Sequence, residues 1–225
     1  MCIRNAVWWP LGLCLGIFLC SPIISARASQ TEPAAPWIAA AKIVRNEQGS
    51  VTGIYLKPGL VITAAHLTAN WTGDAALSVH IAGTALPANL VKQGDEDVDL
   101  ALFSVDEQKL PERVDRIQTP LCQAPAWPGD PVIVVDIYKG ATQSHIVSPQ
   151  ILPFTLRTKF HTLIGDVAST GDSGSGVFDP NRQCLLGIMS RKYTANGKDI
   201  AKYFVPASEI YDFIPVDRRE RVLIK

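Results

Sequence analysis

Ser173 lies in the stretch ASTGDSGSGVFD (168–179), held between Gly171-Asp172 and Gly174. A serine hydroxyl is a weak nucleophile at neutral pH. It attacks a carbonyl when a base in contact takes its proton and a third group fixes that base. Of the four histidines, His66 has the best context: it ends the apolar run VITAAH, where Ala64 and Ala65 permit close packing and the imidazole can face a cleft. Asp99 heads the apolar run LALF within DVDLALF (97–103), a place where one carboxylate can be buried while Asp95, Glu96 and Asp97 stay wet. His80, His145 and His161 have no comparable setting and read as structural or exposed. The three candidates are separated by 33 and 74 residues, so only a folded core can bring them together.

The elements that must position them are short and β-rich. KIVRN, SVTGIYL, GLVITAA, ALSVHIAG, LPANLVK and VDLALFSV fill the first half. PVIVVDIY, SHIVSPQIL, FTLRTKFHTLI, GSGVFD, CLLGIMSRKY and AKYFVPA fill the second. Many short strands with Gly and Pro between them predict an all-β barrel or sandwich architecture. The charged, proline-containing segment 106–120 reads as a crossing linker, which divides the chain into two barrels, 37–112 and 113–225. Ile210, Phe213 and Ile214 at helical spacing predict a short amphipathic helix over 206–214, capped by Ala207 or Ser208. The run DRRER (217–221) reads as solvated charge.

Lys and Arg number 21, as do Asp and Glu, which leaves no net positive field of the kind that drives binding to a phosphate backbone. Nucleic acid is not expected as a partner. The first residues carry Arg4, an apolar run from about Ala6 to Ile24, and Ala26-Arg27-Ala28, the pattern of a secretory signal over 1–28. A flexible leader over 29–36 follows. An uncleaved membrane anchor competes with this reading, but Pro10, Pro22 and the cleavage motif argue against it. Leu19 stands where a lipoprotein signal has a small residue, so Cys20 is not read as a lipid anchor. The mature chain is expected to be secreted or periplasmic, monomeric and without stable membrane association. Only Cys122 and Cys184 remain in it, and two cysteines in an exported chain read as one disulfide, with two separate buried thiols as the alternative. No metal-ligand spacing, P-loop or dinucleotide fingerprint is found, so neither a metal nor a cofactor is expected.

TAAH, DVDLAL and GDSGSGV resemble the three signature blocks of the chymotrypsin-fold (trypsin-like) serine endopeptidases, in that family's order His, Asp, Ser. The resemblance spans about residues 38–214. It implies two six-stranded antiparallel β-barrels with a short C-terminal helix, and cleavage of protein or peptide substrates. Ser173 would be the nucleophile, His66 the general base and acid, and Asp99 the group that orients the imidazole. The backbone amides of Gly171 and Ser173 would receive the oxyanion. Ser190, in GIMS, matches the serine beside the buried aspartate. Cys122 and Cys184 would close the second barrel.

Several features depart from the family. KIVRN lacks the glycines of an Ile-Val-Gly-Gly N-terminus and lies too close to His66, so activation by that cut is not expected. The partner of Asp172 is then either a set of loop amides or a Lys or Arg. Val167 falls near the base of the specificity pocket, with no acid at that position and Asp166 one position off. Arg191 and Lys192 stand on the pocket wall, where they either narrow it or attract acidic side chains. STGDSGSGVF also resembles the bacterial glutamyl-endopeptidase branch, yet Met189 occupies the place of that branch's recognition histidine. Two further readings stay open: a protease-fold protein that binds a peptide or partner with little or no catalysis, and an esterase sharing the mechanism.

Overall fold

A computed structural model describes residues 39–45, 49–69, 71, 77–115, 118–165, 167 and 170–225, with the side chains of 113 and 115 excepted. The expected signal peptide, the leader and Asp166 lie outside the described residues. Twelve strands form two closed antiparallel barrels. In the first, β1 (Ala40–Arg45), β2 (Ser50–Leu56), β3 (Leu60–Thr63), β4 (Leu77–Ile81), β5 (Thr84–Gln93) and β6 (Ala101–Val105) run in the order β1-β2-β3-β6-β5-β4, with β4 pairing back onto β1. The second comprises β7 (Pro131–Asp136), β8 (Gly140–Val147), β9 (Leu163–Ile164), β10 (Gly176–Asp179), β11 (Cys184–Ala195) and β12 (Lys198–Pro206). Its order, β7-β8-β9-β12-β11-β10 with β10 closing onto β7, repeats the first. Closure leaves no unpaired edge strand in either sheet. This is the chymotrypsin-like architecture.

Period-2 patterning and continuous apolar runs explain most of these strands. Leu60, Val61, Ile62 and Thr63 are all fully buried, as expected of a strand with the core on both sides. One continuous core joins Ile54, Leu60 and Phe103 of the first barrel to Phe178, Leu185 and Val205 of the second. The Cys122–Cys184 disulfide is formed and sits in a smaller apolar cluster with Val134, Ile164 and Leu186. Ala207–Phe213 is helical, with Ile210 and Phe213 buried. The helix packs against β11 and β12, and Lys92 on β5 ties it to the first barrel by donating to the carbonyl of Phe213 at 3.0 Å and lying over its ring.

Three local expectations are corrected. FTLRTKFHTLI is not one strand: Phe154–Arg157 forms a helical turn after Pro153, Phe154 is exposed, and only Leu163–Ile164 pairs with neighbours. The C-terminal helix starts after Pro206 with no side-chain cap, so neither Ala207 nor Ser208 plays that part. The DRRER run is not merely solvated. Arg219 donates to the carbonyl of Ile214, which closes the preceding helix, and the chain then pairs with Leu121 through Leu223 and Lys225. Among the described residues, no helix is long and apolar enough to cross a membrane.

Candidate active site

Buried β3 ends at Thr63, and the chain turns through Ala64 into a single helical turn, Ala65–Leu67. The Thr68 hydroxyl closes that turn on the carbonyl of Ala65. His66 is thereby held at the rim with its side chain 42% exposed. Asp99 precedes β6 and its side chain is only 5% exposed, whereas that of Asp97 is 85% exposed and paired with Lys159. The neighbouring acids thus separate by burial, as the apolar run after Asp99 predicts.

The Asp99 carboxylate accepts three hydrogen bonds. The His66 amide reaches one oxygen at 2.8 Å; the other takes His66 Nδ1 at 2.7 Å and the Ser190 hydroxyl at 2.5 Å. Burial by itself raises the Asp99 pKa, but the hydrogen bonds from the His66 ring, from Ser190 and from the His66 amide outweigh it, and the net shift is downward. An ionised carboxylate only accepts, so Nδ1 carries the proton and Nε2 of the neutral ring keeps its lone pair. Such an imidazole can take a proton.

Ser173 is half-buried on the loop before β10. Its hydroxyl donates to the backbone carbonyl of Ser190 at 2.8 Å, and no hydrogen bond joins it to His66. Ser190 is therefore the node of the cluster: its side chain serves Asp99 and its carbonyl holds Ser173. Freeing the hydroxyl for another partner costs one neutral hydrogen bond, about 1 kcal/mol.

The loop around Ser173 depends on two glycines. A Cβ at Gly171 would lie 2.5 Å from Ser175 Oγ and 3.1 Å from Asp136 Cβ. Gly174 adopts φ +86°, and a Cβ there would fall 2.1 Å from the carbonyl oxygen of Thr52 in the first barrel. The amides of Gly171 and Ser173 have no partner among the described residues, while that of Gly174 donates to Met189.

Sequence reasoning missed Asp136. It ends β7, is 2% exposed, and accepts from the Ser175 hydroxyl at 2.7 Å, from Thr52 Oγ1 at 3.2 Å and from the Asp172 amide at 3.3 Å. Its other oxygen takes the amides of Tyr138 and Lys139. One carboxylate therefore ties the 171–175 loop to both barrels. An acid at the end of an apolar run is the signal that identified Asp99, and PVIVVD carries it too. Asp172 pairs with Lys139 at 3.2 Å, which answers the question of its partner in favour of a lysine.

Beside Ser173 lies a cavity of about 410 Å³. Val167 and Lys192, both expected on the pocket, line it, together with Met189 and Arg191. Arg191 donates to the carbonyl of Glu96, so its guanidinium is anchored on the loop that carries Asp99. Lys139, Asp199 and Lys202 also line the cavity and were not anticipated. Lys202 could have been noticed as a cation inside the apolar stretch IAKYFV. Among the described residues, no group of three or more His, Cys, Asp or Glu is placed to hold a metal ion.

A comparison with curated proteins yields no match. Solved structures similar to the chain include the Rv3671c protease from M. tuberculosis in its active form, at 20% identity and TM-score 0.58 over 98% of this chain and 97% of that one. The same protease in its inactive form matches at 21% identity and TM-score 0.57, over 80% and 89%. Kallikrein-related peptidase 10 matches at 19% identity and TM-score 0.56, over 79% and 95%. At these identities the likeness shows the fold alone. The trypsin-like peptidase domain, by contrast, matches directly in sequence over residues 51–188, more than half of the chain and a span that contains His66, Asp99 and Ser173. The chain accordingly belongs to the trypsin-like peptidase domain family.

Proposed function

We propose that the protein is a secreted or periplasmic serine endopeptidase that works as a monomer through His66, Asp99 and Ser173, with neither metal nor cofactor. In this reading residues 1–28 are removed on export, 29–36 form a leader, and the site lies between barrels spanning 37–112 and 113–225. The Ser173 hydroxyl turns from the Ser190 carbonyl to Nε2 of His66. As its proton passes to the ring, Oγ bonds to the scissile carbonyl carbon. The oxyanion accepts hydrogen bonds from the amides of Gly171 and Ser173, each worth about 2.7–4 kcal/mol in such a site. The imidazolium returns the proton to the departing amine, leaving an acyl-enzyme that water hydrolyses by the same route. Ser190 keeps the Asp99 carboxylate in place.

The observation that carries this reading is the buried Asp99 carboxylate, which takes both the amide and Nδ1 of His66 and so turns Nε2 away from the acid, as the free acceptor of the neutral tautomer. A second reading, a protease-fold protein that binds a peptide or partner without turning it over, draws on the Ser173 hydroxyl being bound to Ser190 rather than His66. Fluorophosphonate labelling decides between them. Covalent modification of the wild type, absent in Ser173→Ala, supports the peptidase; a folded wild type that resists labelling supports the binding protein.

A further inference from the structure

Lys202 breaks the apolar stretch Ala201–Val205 of β12 and is 9% exposed, an unusual state for a lysine. Its ammonium donates to the carbonyls of Gly171 at 2.6 Å and Thr170 at 3.1 Å. Two of its three N–H donors are thus used, both on neutral acceptors, and the third is available to the cavity it lines. The other charges differ. Lys139 is paired with Asp172, and Lys192 with Asp199 at 3.0 Å, both at exposed positions. The lining holds four cationic side chains against two carboxylates; Asp172 and Asp199 act on the Lys202 ammonium through space, and among the described residues no carboxylate lies within ion-pair distance of it.

A buried ammonium hydrogen-bonded only to carbonyls, whose two nearby carboxylates are already paired with other lysines, is incompletely compensated. A basic side chain entering the cavity would add a like charge, and an apolar one would deepen the desolvation without supplying a partner. A carboxylate supplies both the missing charge and an acceptor for the third N–H, and charge-assisted hydrogen bonds are the strong ones. We propose that this cavity takes a glutamate or aspartate side chain from the acyl side of the scissile bond, with the Lys202 ammonium as the recognising group. The inference rests on the peptidase reading for where the substrate lies.

The test measures binding without turnover. Acetylated peptide amides ending in Glu, Gln or Lys, identical elsewhere and lacking an α-carboxylate, are titrated calorimetrically into protein carrying Ser173→Ala. The Glu peptide is expected to bind about ten- to a hundredfold more tightly than the Gln peptide, and the Lys peptide most weakly. Lys202→Met added to that protein should bring the Glu and Gln peptides to equal affinity, while Lys109→Met, at an exposed position outside the cavity, should keep the preference. Equal binding of Glu and Gln peptides before any change at Lys202, or tighter binding of the Lys peptide, overturns the proposal even if Lys202→Met fails to fold. So does a preference that vanishes with Lys109→Met or survives Lys202→Met. Fluorophosphonate labelling of the wild type is read separately: lost labelling with retained Glu preference sinks the peptidase reading and leaves the acidic pocket standing.

Discussion

Asp99 in the first barrel and Asp136 in the second are both buried carboxylates at the end of an apolar strand run, and they do different work. Burial raises the pKa of each, and in each case hydrogen bonds to the ionised form prevail and the pKa falls below the ordinary carboxylate value. For Asp99 the donors are the His66 ring, the Ser190 hydroxyl and the His66 amide; for Asp136 they are the Ser175 hydroxyl and the amides of Lys139, Tyr138 and Asp172. One anion is attached to a titratable ring at the rim, the other to hydroxyls and backbone amides. The physics of holding a charge is the same, and only the chemistry of the partner makes one a candidate for proton transfer and the other a clamp.

Asp99→Asn separates the two carboxylates most strongly. It should lower turnover about 10⁴-fold, whereas Asp97→Asn should leave turnover intact, both read on a peptide substrate. If Asp97→Asn proves the damaging change, the acid has been misassigned.

The two barrels also differ in covalent closure. The second carries Cys122–Cys184 across a sequence separation of 62, and removing both sulfurs as Cys122→Ser/Cys184→Ser should destabilise by about 4 kcal/mol in the chain-entropy account, measured by denaturant unfolding. A change below about 1 kcal/mol would mean that the packing of Val134, Ile164 and Leu186 suffices.

Asp136→Asn should cost on the order of 3 kcal/mol, because an amide cannot replace all five acceptor contacts and leaves buried donors unsatisfied. Its pH signature separates clamp from bystander. A carboxylate whose folded pKa is depressed contributes stability that is fully present above its unfolded value, about 3.9, and is lost as pH falls through the folded value. Stability of the wild type should therefore drop steeply below about pH 4, and the variant should show a shallower drop. An unchanged acid slope would show that Asp136 titrates normally in the folded protein. The smallest effect is expected at Lys139→Met, whose ion pair with Asp172 is exposed and is worth about 1 kcal/mol or less.

What was legible in the sequence is what local pattern encodes. LVIT and LALF name their strands because continuous burial needs continuous apolarity, and the same runs mark His66 and Asp99 as the polar residues at their ends. FTLRTKFHTLI misled for the same reason. Four residues after a proline satisfy a helical turn as readily as a strand, and only pairing of Leu163–Ile164 with β8 and β12 separates the two. Asp136 carries the same signature as Asp99 yet was not singled out, since no nearby sequence names Ser175 or Thr52 as its partner.

By itself the sequence determined two barrels' worth of strands, a histidine, an acid and a serine in a family order, and a pair of cysteines, because these follow from side-chain period, residue type and spacing. It took the folded barrels to show that the Ser173 hydroxyl rests on Ser190, that Asp136 ties the 171–175 loop to Thr52, and that Lys202 lines the cavity hydrogen-bonded to carbonyls alone. Each of those contacts joins residues 17 to 84 positions apart, and such distances are set by barrel closure, a global constraint to which no local window of sequence has access.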